Sequence, residues 1–408
     1  MPGEPRPGEP RPGDSTADAT KAIHAARDRG QPDLPGTPVV PPIFQSANFG
    51  LSHAVIDDLR STGGRHSYSY TRLGNPTTQA AARVIAALEG AERAAVVASG
   101  MAAITASVTA LLPPGGRLLA AEELYGDAAD LFERHLARTG YRVSRAPLSA
   151  LSAAEDSGLG RPDVIYIETL SNPMLRLADI EKIAARARRA GARLIVDDTF
   201  TTPINVKPLA LGADLVVSSA TKYLNGHSDV VAGAVAGPAD LLESVQDVVS
   251  ATGCSADPFA SFLLLRGLKT LPIRMRRHNE TALWLARELG QRPELELVAY
   301  PLLDGHPDHS VASRLLAGGG GIVTVRVAGG DAAAHLVQAA LRLIQPATSL
   351  GGTESVVCIP AETSHLTLTD EERFKLGILP GTLRFSFGLE DPDDLLADIA
   401  AAFSRLRA

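Results

Sequence analysis

Cysteine is almost missing from this chain. Cys254 and Cys358 are the only two in 408 residues. They stand far apart, which argues against a disulfide framework and against a cysteine zinc site. A reducing compartment fits, and the chain reads as cytoplasmic. Cys358 lies in an apolar run with Val356, Val357 and Ile359 and reads as a small core residue. Charge of one sign is also scarce: 39 Lys and Arg against 46 Asp and Glu leave a mild net charge of -7. Neither nucleic acid nor a membrane surface is indicated as a partner. No basic stretch followed by an apolar one opens the chain, so no secretory signal is expected. The longest uncharged run, 94–112, approaches a membrane span in length. Ser99, Gly100, Thr105, Ser107 and Thr109 interrupt it, and a buried strand followed by a buried helix explains it better.

What is present is enough apolar residue, 45% of the chain, to bury a large core in two or three domains. The first 13 residues contain Glu-Pro-Arg-Pro-Gly twice in tandem, and residues 1–20 read as a disordered Pro/Gly-rich tail. Pro32, Pro35, Pro38, Pro41 and Pro42 make 21–68 an extended arm, with ordered structure starting near Tyr70. The pattern then alternates. Helices are expected over 75–88, 101–111, 127–138 and 180–189, and short apolar strands over 94–98, 117–121, 164–167, 194–196 and 215–217. This predicts an α/β fold over 69–258, a mainly parallel sheet with helices on both faces. Beyond 258 a long basic helix over 266–288, a flexible turn at the Gly318–Gly321 run and a strand over 322–327 suggest a smaller α+β domain, 259–408.

Four of these strands end in polar residues: Ser99-Gly100, Glu168 with Asn172, Asp197, and Ser218 through Lys222. The carboxyl ends of strands in an open parallel sheet form the ligand crevice. One polar end is uninformative, whereas four that converge are specific. A lysine near the interior loses solvation, its pKa falls, and it becomes fit to form a Schiff base. Standing alone, Lys222 would more simply be a snorkelling residue at a helix start. Its neighbours Ser219 and Thr221 add two hydroxyls of the kind a phosphate needs. Asp197, after a buried strand, wants a cationic partner such as a pyridinium nitrogen. Ser99-Gly100-Met101 opens a helix whose free N–H groups suit an anion, although Ser-Gly before a helix is more often an ordinary cap. His306 and His309 have no third ligand near in sequence, so no metal site is expected. His227 reads as structural.

With these residues in place, the sequence resembles the Cys/Met-metabolism family of pyridoxal-phosphate enzymes. That family includes cystathionine γ-synthase, cystathionine γ-lyase, methionine γ-lyase and cystathionine β-lyase. The matching segments are Tyr-Thr-Arg-Leu-Gly-Asn-Pro-Thr (70 to 77), Ser-Gly-Met (99 to 101), Leu-Tyr-Gly (124 to 126) and Glu-Thr-Leu-Ser-Asn-Pro (168 to 173). Val-Asp-Asp-Thr-Phe (196 to 200), Ser-Ala-Thr-Lys-Tyr-Leu-Asn-Gly-His-Ser-Asp (219 to 229), Leu-Arg-Gly-Leu-Lys-Thr-Leu (265 to 271), Ser-Leu-Gly-Gly (349 to 352) and Arg-Phe-Ser-Phe-Gly-Leu-Glu (384 to 390) follow in the family's order. The resemblance implies fold type I with a seven-stranded sheet, and pyridoxal 5'-phosphate as cofactor. It makes Lys222 the attachment point and proton shuttle, and Asp197 the partner of the ring nitrogen. Ser219, Thr221, Gly100 and Met101 are implied as phosphate ligands, with Tyr70 and Arg72 reaching that phosphate from a neighbouring subunit. The assembly implied is a homotetramer, a dimer of dimers, with the N-terminal arm touching the neighbour. Tyr125 is implied to stack on the ring and act as an acid/base, and Asn172, Ser349 and Arg384 to bind the substrate's α-carboxylate.

Positions that select the substrate depart from the best-known members. Asp127 stands where methionine γ-lyases carry cysteine, and Asp130 where cystathionine γ-lyases and γ-synthases place arginine. Thr348 stands where those enzymes have glutamate and bacterial β-lyases a bulky aromatic. Asp127, Asp130 and Thr348 are therefore the candidates for contacting the substrate's distal group, and Asp127 and Asp130, three apart, are expected on one helix face. An acidic residue also favours the first turn of any helix. The reading favoured is γ-elimination or γ-replacement on a sulfur-containing or O-activated amino acid, with a C–S β-lyase as the alternative. An aminotransferase would keep the side-chain substituent, and a regulator on the same fold would be expected to lack part of the proton-transfer set, yet Lys222 and Tyr125 are both present.

Overall fold

The computed structural model describes residues 16–26, 38–64, 67–153 and 158–407. Seven strands form the first sheet: β1 (Arg93–Val97), β2 (Arg117–Ala121), β3 (Arg142–Ala146), β4 (Val164–Glu168), β5 (Arg193–Asp197), β6 (Leu215–Ser218) and β7 (Gly233–Gly237). Their order across the sheet is β1-β7-β6-β5-β4-β2-β3. The sheet is mainly parallel, as expected, but β7 runs antiparallel to both β1 and β6. Neither β7 nor β3 stands out in the sequence. Gly-Ala-Val-Ala-Gly lacks the bulky residues that mark a strand, and β3 is an edge strand with arginines at 142 and 145. The reversal of β7 has a use: it brings Gly233 beside Val97 and Ala234 beside Ser218, at the sheet edge where β1 and β6 end.

Local chemistry fixes the helices around this sheet. The helix Pro76–Glu89 starts with the Asn75 side chain accepting the Thr77 N–H at 2.8 Å and Pro76 at its first position, and stops at Gly90 with φ 70°. Gly100–Leu111 follows β1, and the Ser99 hydroxyl accepts the Ala102 N–H at 3.1 Å. The expected helix over 127–138 is present but irregular, an α-turn Gly126–Asp130 running into a wider-wound segment, Leu131–Leu136.

A second sheet of five strands, in order β10-β11-β12-β9-β8, joins β8 (Leu295–Ala299), β9 (Ile322–Val327), β10 (Gln345–Pro346), β11 (Val356–Cys358) and β12 (Thr382–Ser386). It packs its own apolar core, with Val323, Val325, Leu383, Phe385 and Phe387 among its buried residues. Cys358 is buried in it. Among the described residues no helix is long and apolar enough to cross a membrane.

Several expectations need correction. Residues 16–26 span the expected tail and arm, yet Asp18–His24 is a helix tied by Asp18 to Lys207 Nζ at 2.8 Å. The arm also holds the helix His53–Thr62, capped by Ser52 and ended by Gly63. The repeated pentapeptide lies outside the described residues. The long basic helix is two helices, Pro258–Leu268 and Leu271–Leu289, because Pro272 lacks an N–H and fits only a first turn.

The Gly318–Gly321 run is no flexible surface turn. It is buried, and its second half is held by hydrogen bonds: Gly320 N–H donates to Asn279 Oδ1 at 2.9 Å, Gly321 N–H to the Tyr223 hydroxyl at 2.9 Å, and the Tyr300 hydroxyl to Gly320 O at 3.1 Å. A Cβ on Gly319 would lie 2.5 Å from Tyr300 Cζ. Gly319→Ala is therefore expected to cost about 1–3 kcal/mol in denaturant unfolding, since the buried ring has little room to move. Gly305→Ala, at an open position with nothing within 4 Å, is the control and should change stability by less than about 0.5 kcal/mol.

Candidate active site

The lysine is held by the residues that follow it. Lys222 comes after β6, in a turn closed by its own N–H on Ser219 O (3.1 Å) and by Gly226 N–H on Lys222 O (2.7 Å). Tyr223 is buried, with its hydroxyl accepting from the glycine run. Arg274, also buried, donates to Tyr223 O at 2.7 Å and Leu224 O at 3.3 Å. A Cβ on Gly226 would lie 2.0 Å from Arg274 Nη1, so glycine is what lets the guanidinium reach these carbonyls.

The Lys222 amine donates to Ser349 Oγ at 2.7 Å. Burial, with the Arg384 guanidinium adding to it, pushes that amine down to about 8. Ser349 sits at φ 75°, an uncommon conformation for a residue with a side chain. Its carbonyl accepts from Arg384 Nη2 at 2.9 Å, and Arg384 Nη1 donates to Asn172 Oδ1 at 2.8 Å. Arg384 is buried at the centre of β12, and its Nε has no partner among the described residues. Lys222, Ser349, Asn172 and Arg384 thus form one continuous set, with residues drawn from both sheets.

Asp197 ends β5 as a buried carboxylate. Its Oδ1 accepts from the Thr199 N–H (2.9 Å) and hydroxyl (2.5 Å), and its Oδ2 from the Tyr166 hydroxyl (3.0 Å). Burial raises its pKa, while these three donors oppose the rise. The Thr199 hydroxyl in turn accepts the Ser219 N–H at 2.8 Å, which links this carboxylate to the other end of the site. There Gly100 packs against Ser219: a Cβ on Gly100 would stand 2.8 Å from Ser219 Cβ. The N–H groups of Gly100 and Met101 are the first of their helix and have no acceptor within it. The Thr221 hydroxyl already donates to Ala232 O at 3.2 Å and accepts from Ala232 N at 3.0 Å, so it must turn to serve an anion.

Tyr125 is 36% exposed. Its N–H donates to Glu168 Oε1 at 2.6 Å and its hydroxyl to Asp127 Oδ2 at 2.6 Å. Asp130, expected on the same face, pairs instead with Arg134 one turn along, at 3.3 Å. Thr348 is exposed beside Ser349. Tyr70 and Arg72 have partners of their own within the chain. Arg72 Nη1 donates to Ser250 O at 2.5 Å, and its guanidinium sits 5.6 Å from the Tyr70 ring centre. Both line a cleft of about 380 Å³ with Gln45, Ser46 and Asp257. Among the described residues no group of three or more His, Cys, Asp or Glu is placed to hold a metal ion.

The sequence profile of the family described as Cys/Met metabolism PLP-dependent enzyme matches residues 19–404. The chain belongs to this family. It is 39% identical to an L-methionine gamma-lyase of Pseudomonas putida, over 94% of this chain and 96% of that one. It is 40% identical to a cystathionine gamma-lyase of Dictyostelium discoideum, over 95% of this chain and 97% of the relative. A crystal structure of cystathionine gamma synthase from Xanthomonas oryzae pv. oryzae, in complex with aminoacrylate and cysteine, superposes with a TM-score of 0.88. It is 38% identical, over 96% of this chain and 99% of that one. The fold is that of fold type I, and the protein is a pyridoxal-phosphate-dependent enzyme acting on a small amino acid.

The site fits this cofactor on its own chemistry. Asp197 is a buried carboxylate whose partners are neutral donors, so it suits a protonated ring nitrogen. The Gly100–Ser219 contact leaves backbone N–H groups open to a phosphate. Reading the sequence alone missed Thr199, Tyr166, Tyr223 and Arg274. Thr199 had a signal, because an Asp two residues ahead commonly accepts its backbone N–H. Tyr166 had one too, since i and i+2 on a strand share a face with Glu168.

The depressed Lys222 amine gives a pH signature in the apoprotein. Between about 8 and the ordinary value of 10.5, the unfolded chain holds a proton that the folded chain has released. Stability therefore rises with pH through this window, and the burial penalty is present in full below it. Lys222→Met is expected to stabilise the apoprotein at pH 7, with the advantage shrinking between pH 8 and 10.5 in thermal melts.

Proposed function

We propose that the enzyme catalyses γ-elimination or γ-replacement on an amino acid carrying a sulfur or activated oxygen substituent. The observation that carries this reading is the contact of the Lys222 amine with Ser349, whose carbonyl holds Arg384 beside Asn172. An α-carboxylate on Arg384 and Asn172 would bring the substrate's α-carbon to the lysine. Pyridoxal phosphate supplies an electron sink joined to the substrate's nitrogen. Lys222 attaches the cofactor and afterwards carries protons at Nζ, which burial and Arg384 make available near neutral pH. Asp197 keeps the ring nitrogen protonated, held in place by Thr199 and Tyr166. Ser219, Thr221 and the Gly100 and Met101 N–H groups bind the phosphate. Tyr125 covers the ring and gives a proton to the leaving group, a role its protonated, Asp127-bound hydroxyl supports. Asp127 and Thr348 flank the distal group. Asp130, paired with Arg134, is the weaker candidate.

Within one chain Arg72 binds Ser250 O and sits by Tyr70 in a cleft with Gln45, Ser46 and Asp257, an arrangement in keeping with service to a neighbour's phosphate in a homotetramer. Residues 69–258 would form the cofactor-binding unit and 259–408 the C-terminal one. Both cysteines are free, in keeping with a cytoplasmic enzyme.

Relatives named as γ-acting enzymes and as a cystathionine beta-lyase match this chain to a similar degree, and product carbon count separates the two reactions. Incubation with cystathionine, methionine and O-acetylhomoserine plus a thiol should give a four-carbon keto acid or a new thioether by mass spectrometry. A three-carbon keto acid from cystathionine would assign the β-lyase reaction instead. A cofactor left in the amine form, with the substituent retained, would assign transamination.

A further inference from the structure

Glu168 ends β4 as a buried carboxyl that the proposed roles leave unused. Register in the parallel pair β4–β5 sets Glu168 opposite Asp197. Register partners in a sheet present their side chains on the same face, roughly 5 Å apart. Both carboxyls are buried, 6% and 9% exposed. They are unequally served. Among the described residues the Asp197 carboxyl accepts three hydrogen bonds, while the Glu168 carboxyl accepts only the Tyr125 N–H, at 2.6 Å. Two such groups side by side out of water do not both stay ionised, and the proton settles on the one with fewer donors. The groups facing Glu168 agree. Asp197 on β5 repels its charge, Tyr166 on its own strand gives its hydroxyl to Asp197, and Tyr125 offers one N–H. Burial and the Asp197 charge hold Glu168 well above the ordinary carboxyl range, and the Tyr125 N–H opposes this only in part.

We propose that Glu168 is a positioning residue: as an uncharged acid it ties the backbone of Tyr125 to the strand end that carries Asp197. This rests on the reading that Tyr125 and Asp197 hold the face and the nitrogen of the cofactor ring. The tie sets the two in register, so the aromatic cover cannot drift from the nitrogen's partner. The proton on Glu168 also leaves Asp197 as the single negative charge for that nitrogen.

Glutamine keeps the shape and the neutral acceptor, and alanine removes the tie. Glu168→Gln and Glu168→Ala are compared with wild type, as holoenzymes, in cofactor Kd by dialysis, in visible circular dichroism, and in the pH midpoint of the visible absorbance. Glu168→Gln is expected to keep the wild-type midpoint and Kd. Glu168→Ala should raise the Kd about three- to tenfold, the range for one lost hydrogen bond, and reduce the visible dichroism. A shifted midpoint in Glu168→Gln would mean that Glu168 is charged in the wild type, and the proposal fails. Wild-type Kd and dichroism in Glu168→Ala would overturn it equally. If Glu168→Ala does not fold, the midpoint of Glu168→Gln still decides. Tyr125→Ala, run alongside, separates the two layers. Unchanged dichroism there refutes the stacking role of Tyr125, whereas altered dichroism there beside a wild-type Glu168→Ala refutes Glu168 alone.

Discussion

An ammonium group half out of water beside a guanidinium is costly, and Lys222 is kept in that position by everything around it. Its amine has Ser349 as acceptor and Arg384 as the neighbouring cation. The turn that carries it cannot relax, because Tyr223 is pinned to the glycine run and Arg274 grips the two carbonyls that follow. The cost is turned to use. An amine pushed to about 8 supplies a substantial unprotonated fraction near neutral pH, where an exposed lysine supplies almost none.

The same constraint explains why two sheets are needed. The first sheet delivers Asn172, Asp197 and Lys222 from strand ends on one edge. The second delivers Arg384 from the middle of β12 and Ser349 from the loop before β11. The φ of 75° at Ser349 turns its hydroxyl to the lysine while its carbonyl holds Arg384. Strain of this kind persists only where surrounding contacts impose it. Here the imposing contacts are the close approach of Gly351 to Tyr223 and the Gly351 N–H on Ser386 Oγ at 3.0 Å.

The α/β alternation, the cofactor family and the polar strand ends were legible in the sequence because each rests on local signals: short apolar strands, caps such as Asn75 and Ser99, and runs of motif residues. The reversed strand β7 was not legible, since its small residues carry no strand signature and its direction is set by pairing with β1 and β6. The glycine run misled for a related reason. Glycine marks both a loose turn and a tight crossing, and only the rings of Tyr223 and Tyr300 decide between them. Spacing put Asp127 and Asp130 on one face, but it could not reveal that Arg134 was in reach of the second. Glu168 was visible as a polar strand end. Its relation to Asp197 is a matter of register between strands, which no single stretch of sequence contains.

Lys222, and no other lysine, is expected to carry the cofactor. Borohydride reduction of the yellow holoenzyme followed by peptide mapping tests it directly. A single phosphopyridoxyl label is expected, on the peptide containing Lys222, with loss of that label in Lys222→Ala. A stoichiometric label on any other lysine, or an undiminished one in Lys222→Ala, would contradict it.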